Sequence, residues 1–197
     1  RRVLFRSVAL AAYAAGGLAG YAAKGYTVGT GSTMLRAIAG PAARVMCELR
    51  TFVPDRKGTS VTSDDSCALL VKFRNRALGS VHLSVASGAS EGRLAIYGSE
   101  GELLVPDLWT TGVLGARRAE RLTPMTIPKH LLLEEETPST RAPFRALISR
   151  MIRAIDEQTL SPSPDFTDGL ASQLILDAAR QSHKTHEWTA VNEETMR

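Results

Sequence analysis

Between residues 44 and 53 the chain alternates, with Val45, Cys47 and Leu49 on one side and Arg44, Met46, Glu48 and Arg50 on the other. A period of two is the signature of a strand with one buried face. The spacing recurs in SCALLVKF, where Cys67, Leu69, Val71 and Phe73 align, and in SVHLSVAS, where Val81, Leu83 and Val85 do. The intervening RNRALG is short and rich in turn formers, so these two runs are predicted to pair as an antiparallel hairpin. RLAIYGS and ELLVP, joined through GSEG, add further strands. Together they predict a sheet of at least four strands, arranged mainly as a meander.

Elsewhere the period lengthens. Phe144, Leu147, Ile148, Met151, Ile152 and Ile155 recur at i, i+3, i+4, i+7, i+8 and i+11 behind Pro143, which predicts an amphipathic helix with Arg145, Arg150 and Arg153 off its apolar stripe. A second helix is expected from SPSPDF, capped by Asp165 or Ser163, with Phe166, Leu170, Leu174 and Ala178 along one face. STMLRAIA (32–39) reads as a short helix stopped by Gly40 and Pro41. Residues 8–24 are small and Gly-rich, a loop or loosely packed helix. The segment 107–143 is punctuated by Gly112, Gly115, Pro124, Pro128 and Pro138 and leaves room for short strands around 121–127 and 131–134. EWTAV predicts a closing strand.

Composition narrows the class. The 197 residues are 44% hydrophobic and 22% charged, which suits one soluble globular domain and excludes disordered, collagen-like and disulfide-framework chains. Two cysteines, Cys47 and Cys67, lack CxxC spacing and suit a reducing, cytoplasmic location. The formal charge of +4 raises the question of an anionic partner. However, RRVLFRS is what the genetic code gives for AGACGTGTGCTCTTCCGATCT, the tail of a common sequencing-library adaptor. Residues 1–7 are therefore expected to be a read-through artefact, with the domain proper spanning 8–197 and the natural protein extending further on its N-terminal side. Without those three arginines the charge falls from +4 to +1. The basic start followed by VALAAYAAGGLAGYAA imitates a signal peptide, but its Ala/Gly composition gives little drive into a bilayer. No membrane partner is expected.

Candidate chemistry is sparse. Gly29 and Gly31 form a Gly-x-Gly ahead of a helix, with Glu48 at a distance suited to a ribose. A dinucleotide fingerprint also needs a third small residue and a long crossover helix, whereas Met34 and Gly40-Pro41 stand there. No cofactor is expected on this chain. His82, His130, His183 and His186 form no ligand set by spacing, so no metal is expected. His183 and His186 suit the C-terminal end of a helix dipole. His82 lies on the strand face opposite Val81, Leu83 and Val85, which points it at solvent, an interface or a cleft. Asp64 and Asp65 are adjacent at a strand entrance, point in opposite directions, and suit a strand-start role better than paired acid/base work. The arginines of 141–153 lack aromatic interleaving, so nucleic acid is not an expected partner.

The run LRTFVPDR, the strand entry VTSDDSCALLVKF, the hairpin ALGSVHLSVAS, RLAIYGSEGEL and the late PSPDFTDGLASQLILDAARQSH and EWTAV resemble, in that order, the C-terminal domain of the Gfo/Idh/MocA oxidoreductases. The resemblance covers residues 16–191. It implies an α+β fold, an open, mainly antiparallel (mixed) sheet with helices on one face. It further implies the substrate-binding and oligomerisation half of an enzyme that uses NAD or NADP on a sugar, inositol or related polyol. The cofactor and the family's Glu-Lys-Pro lysine would belong to an N-terminal Rossmann domain, and no Glu-Lys-Pro occurs here. This chain alone is therefore expected to be inactive, with no catalytic residue of its own. A homo-oligomer through the sheet face is implied. Many members carry Gly-Ser-His-x-x-Asp before the first long strand; the matching stretch, 28–33, places Thr30 and Thr33 where His and Asp would face substrate. Threonine can hydrogen-bond a sugar hydroxyl but is no general base near neutral pH. The competing expectation is a non-catalytic sheet domain that self-associates or binds a partner.

Overall fold

The computed structural model describes residues 35–36, 38–84, 86–87, 92–107, 112–127, 141–159 and 165–192. Every strand pair among them is antiparallel. The strands are β1 (Ala42–Arg50), β2 (Asp55–Arg56), β3 (Thr59–Ser60), β4 (Ser66–Phe73), β5 (Leu78–Ser84), β6 (Leu94–Gly98), β7 (Gly101–Val105), β8 (Leu114–Arg117), β9 (Thr123–Pro124) and β10 (Thr189–Ala190). The helices are α1 (Arg141–Asp156) and α2 (Phe166–Thr185). Two compact units result, one holding β1–β5, α2 and β10, the other β6–β9 and α1 as far as Arg153.

In the first unit the sheet runs β10-β1-β4-β5. Its alternation is the predicted one: Val45, Cys47, Leu69, Val71 and Phe73 are buried against Ile175, Ala178 and Ala179 of α2. Glu48, Ala68 and His82 form one cross-strand row on the other face, and Met46, Leu70 and Ser80 the next. The hairpin between β4 and β5 closes through Arg76 at φ 70°, with Asn75 Oδ1 accepting from Ala77 N–H at 3.0 Å. Gly40, at φ 88°, ends the helical residues before β1, the left-handed stop that glycine makes without steric cost.

Asp65 fixes where β4 begins. It is 1% exposed, and its carboxylate accepts from the backbone N–H groups of Phe52 (3.0 Å) and Val53 (2.9 Å) and from the Ser66 hydroxyl (3.1 Å). A buried carboxylate needs such donors, and these clasp the chain leaving β1 to the chain entering β4.

Helix α2 starts at Asp165, whose side chain accepts from Thr167 N and Asp168 N while Asp168 reaches back to Asp165 N, a reciprocal capping box. Its buried face is Ala171, Ile175, Ala178, Ala179 and Ser182, not the expected row from Phe166. Phe166 is 99% exposed and Leu170 49%. A strict four-residue spacing drifts about 40° around the helix at each step, so only the later members of that row approach the sheet. Four of the five residues of the true contact stripe, all but Ile175, are small, which lets the helix lie close to large strand side chains.

That closeness places the end of α2 along the free edge of β1. The strand β10 is only two residues long and pairs with Arg44 and Val45; Val191 N–H donates to Ala43 C=O at 2.9 Å. Beyond it, Cys47 N–H donates to Ser182 Oγ (3.0 Å) and Leu49 N–H to His183 Nδ1 (3.3 Å). The Ser182 hydroxyl in turn donates to Glu187 C=O at 2.7 Å. Buried amides seldom go unpaired, and side chains of α2 take over where β10 stops.

In the second unit β6-β7-β8-β9 form a separate four-stranded sheet, so the expected single meander is two ladders. The GSEG turn is confirmed: Gly98 pairs with Gly101, and a Cβ on Gly101 would strike Ala116 C=O. β8 was expected to be irregular. It is held by pairing with β7, and Gly115 leaves the space that the Met125 side chain fills. β9 falls within the expected 121–127; residues 131–134 lie outside the described set. In α1 the predicted apolar stripe is exposed at Ile148, Met151, Ile152 and Ile155.

Burial pushes the Cys47 thiol up from 9.0 to about 12, with Cys67, Asp64 and Glu48 adding to the shift. In the native chain neither Cys47 nor Cys67 should react with a thiol reagent at pH 8, and both should after unfolding. The thiol proton that the fold retains also means stability should fall as pH rises from 9 toward 12. Rapid native labelling would contradict this. Ser182→Ala strands a buried N–H and a C=O and should cost about 2–3 kcal/mol by denaturant unfolding; a loss under about 0.5 kcal/mol would show that these bonds carry little.

Candidate functional site

The chemistry of the first unit gathers on the sheet face that α2 leaves uncovered. Period-two geometry puts Arg44, Met46, Glu48 and Arg50 of β1 there, with Ala68, Leu70 and Lys72 of β4 and Leu78, Ser80 and His82 of β5. Leu70 is 47% exposed and Leu78 77%, large apolar side chains on a strand surface that nothing in this unit packs. The small Ala68 lies between Glu48 and His82 in the cross-strand row. Around it opens a depression of about 420 Å³, lined among others by Met46, Glu48, Leu70, Ser80, His82 and His186.

Positive charge dominates the face. Lys72 Nζ sits 4.4 Å from the centre of the Trp188 ring, a cation–π contact, and Arg44 donates to the Trp188 carbonyl at 2.8 Å. Glu48 is the acidic residue on this face of β1, β4 and β5. It bonds Arg50 at 2.9 Å and lies 3.3 Å from His183 Nδ1. The wall toward β10 is completed by His186, which ends α2 in the left-handed conformation at φ 57°.

Of the residues singled out in the sequence, His82 is exposed on this face and lines the depression. His183 and His186 do terminate α2, but His183 also reaches β1, a contact no local spacing announces. Asp65 has the strand-start role expected of it. Thr30, Thr33, Gly29 and Gly31 lie outside the described residues. A second tie crosses the unit: Arg36 donates to Asp168 at 2.6 Å, joining the helical residues before Gly40 to the capping box of α2. No group of three potential metal ligands occurs among the described residues, and no helix among them is long and apolar enough to cross a membrane.

The described residues do not fit a dinucleotide. Pyrophosphate sites need free amides at a helix N-terminus behind a parallel strand. The α2 amides are taken by Asp165, two carboxylates stand there, and the strands of all three sheets among the described residues are antiparallel.

Residues 32–104 match the model of the GFO/IDH/MocA C-terminal domain. The chain is 27% identical over 171 residues to the glucose-fructose oxidoreductase domain-containing protein 2 of Xenopus tropicalis, covering 75% of this chain and 44% of that protein. It is 25% identical over 167 residues to an uncharacterised oxidoreductase of Synechocystis, covering 77% and 45%. It thus spans less than half the length of these relatives. Among solved structures, levoglucosan dehydrogenase in complex with NADH and levoglucosan shares the fold at a TM-score of 0.71 and 23% identity, over 84% of this chain and 49% of that one. An oxidoreductase domain protein from Kribbella flavida does so at 0.65 and 24%, over 83% and 49%. Residues 32–104 thus match the Gfo/Idh/MocA C-terminal domain, and the antiparallel sheets and helices of the described residues are the arrangement expected of that domain.

Proposed function

We propose that this chain is the substrate-binding and self-association half of an NAD(P)-dependent oxidoreductase acting on a sugar, inositol or related polyol in the cytoplasm. The observation that carries this reading is the match of residues 32–104 to the family's C-terminal domain. Support for the substrate class comes from the fold neighbour crystallised with NADH and levoglucosan and with NADH and L-sorbose. NAD or NADP would be held by an N-terminal dinucleotide-binding domain, since the described residues do not fit it. Thr30 and Thr33 are the proposed substrate contacts, each offering a hydroxyl to a sugar hydroxyl. His82 belongs to the uncovered sheet face, which is the proposed surface for a second copy.

The support for that surface is physical. It exposes Leu70 and Leu78 beside a depression around Ala68, so one patch offers both projections and a hollow, as an isologous contact requires. Calorimetry of the 197-residue chain with NADH should show no binding, and the chain should sediment as a dimer at pH 7.5. Ala68→Arg fills the hollow with a like charge and should weaken association at least tenfold while leaving the circular dichroism unchanged. NADH binding by the chain, or a wild-type monomer at high micromolar concentration, would overturn the corresponding part of the proposal.

A further inference from the structure

The Nδ1 atom of His183 stands 3.3 Å from two groups that make opposite demands on it, the N–H of Leu49 and the carboxylate Oε2 of Glu48. Leu49 N–H can only donate and needs a lone pair on Nδ1. The ionised Glu48 can only accept and needs a proton there. One nitrogen cannot serve both at once. We propose that His183 is a proton-operated switch between the edge of β1 and the side chain of Glu48 on the uncovered sheet face.

With the ring neutral and its proton on Nε2, Nδ1 accepts from Leu49 and extends the edge pairing that Ser182 provides at Cys47. Once Nδ1 is protonated, Leu49 loses its acceptor and the imidazolium pairs with Glu48. The groups around the ring define the change. Glu48, with Arg50 bonded to it at 2.9 Å, comes from β1. His186 meets the ring edge-on, with centroids 6.3 Å apart. Lys184 and Glu187 neighbour it in sequence, β4 contributes the uncharged Ala68 opposite Glu48, and β5 brings His82 beyond that. The C-terminal end of α2 favours the cation, and the ring is 34% exposed, so a proton can reach it. Imidazole is the side chain whose charge in general changes between about pH 5 and 8.

The switch alters the sheet face as well as the edge. Among the described residues of β1, β4 and β5, Arg44, Arg50 and Lys72 on this face are opposed by Glu48, and an imidazolium bound to Glu48 cancels that charge. Resting on the reading of this face as the self-association surface, two facing copies then become more alike in charge and repel. Acid pH should loosen the dimer.

Ring-nitrogen and amide spectra of the 197-residue chain, recorded by NMR from pH 8 to pH 5, test the switch. At pH 8, His183 Nδ1 should show the shift of an unprotonated nitrogen and the Leu49 amide should be hydrogen-bonded. At pH 5, Nδ1 should be protonated and the Leu49 amide should move upfield and exchange at least tenfold faster. Glu48→Ala removes the acid-state partner, so the change in the Leu49 amide between pH 8 and pH 5 should be smaller than in the native chain. A protonated Nδ1 at pH 8, a Leu49 amide unchanged between pH 8 and pH 5, or a Glu48→Ala chain whose Leu49 amide changes as much as the native one would overturn the switch. Sedimentation separates its consequence from the surface it rests on. A dimer at pH 7.5 that weakens at least threefold at pH 5.5 is the expected result, and an equally tight dimer at both values overturns the coupling. A monomer at both refutes the self-association surface and leaves the switch to the NMR result.

Discussion

Strand β1 occupies the middle of its sheet, and its outer edge carries more amide groups than β10 is long enough to pair. β10 satisfies the stretch around Arg44 and Val45; from there the Ser182 hydroxyl and the His183 ring accept from Cys47 and Leu49. A buried strand edge without acceptors would cost on the order of 1–3 kcal/mol per orphaned amide. The helix is therefore tied to the sheet by side-chain hydrogen bonds as well as by apolar packing, and its rotation and depth follow from both. Small residues at Ala171, Ala178 and Ala179 make the approach close enough for Ser182 to reach.

Because α2 covers one face and completes one edge, the opposite face is left to the chain's surface chemistry. There the same alternation that buries Cys47 and Leu69 displays Glu48, Ala68 and His82 in a row, beneath a basic rim of Arg44, Lys72 and Arg50. The exposed leucines and shallow hollow of this face are what the proposed self-association rests on, and Glu48 is shared between an arginine and a histidine that belongs to the helix. Structure on the closed side and charge on the open side are thus linked through a single imidazole.

Much of this was legible in the chain. β4 shows its buried and exposed positions directly because Cys67, Leu69, Val71 and Phe73 alternate with Ala68, Leu70 and Lys72, and both faces keep that period through β5. Asp165 announced α2 as a cap. The contact face of α2 was misread because Phe166 and Leu170 draw the eye while alanines do the packing. β8 was missed because Leu-Gly-Ala-Arg has no apolar period; its strand conformation comes from the partner β7 and from Met125 filling the space over Gly115. The division into two ladders depends on where hydrogen bonding stops between β5 and β6, which no local spacing records. His183 looked like a helix-dipole cation, since the contact with β1 spans 134 residues of sequence. The family resemblance, carried by ordered motifs rather than by any one of them, proved sound, whereas the proposed substrate contacts at Thr30 and Thr33 lie outside the described residues.

The end of α2 replaces a strand partner along β1, and hydrogen exchange at the amide of Cys47 reads that replacement. That amide has no backbone acceptor, only the Ser182 hydroxyl. If the helix completes the edge, Cys47 N–H should exchange as slowly as the amides of Val45 and Val71 in the interior of the sheet, through opening of the whole unit. Exchange within minutes, at the rate of a solvent-exposed strand edge, would contradict it.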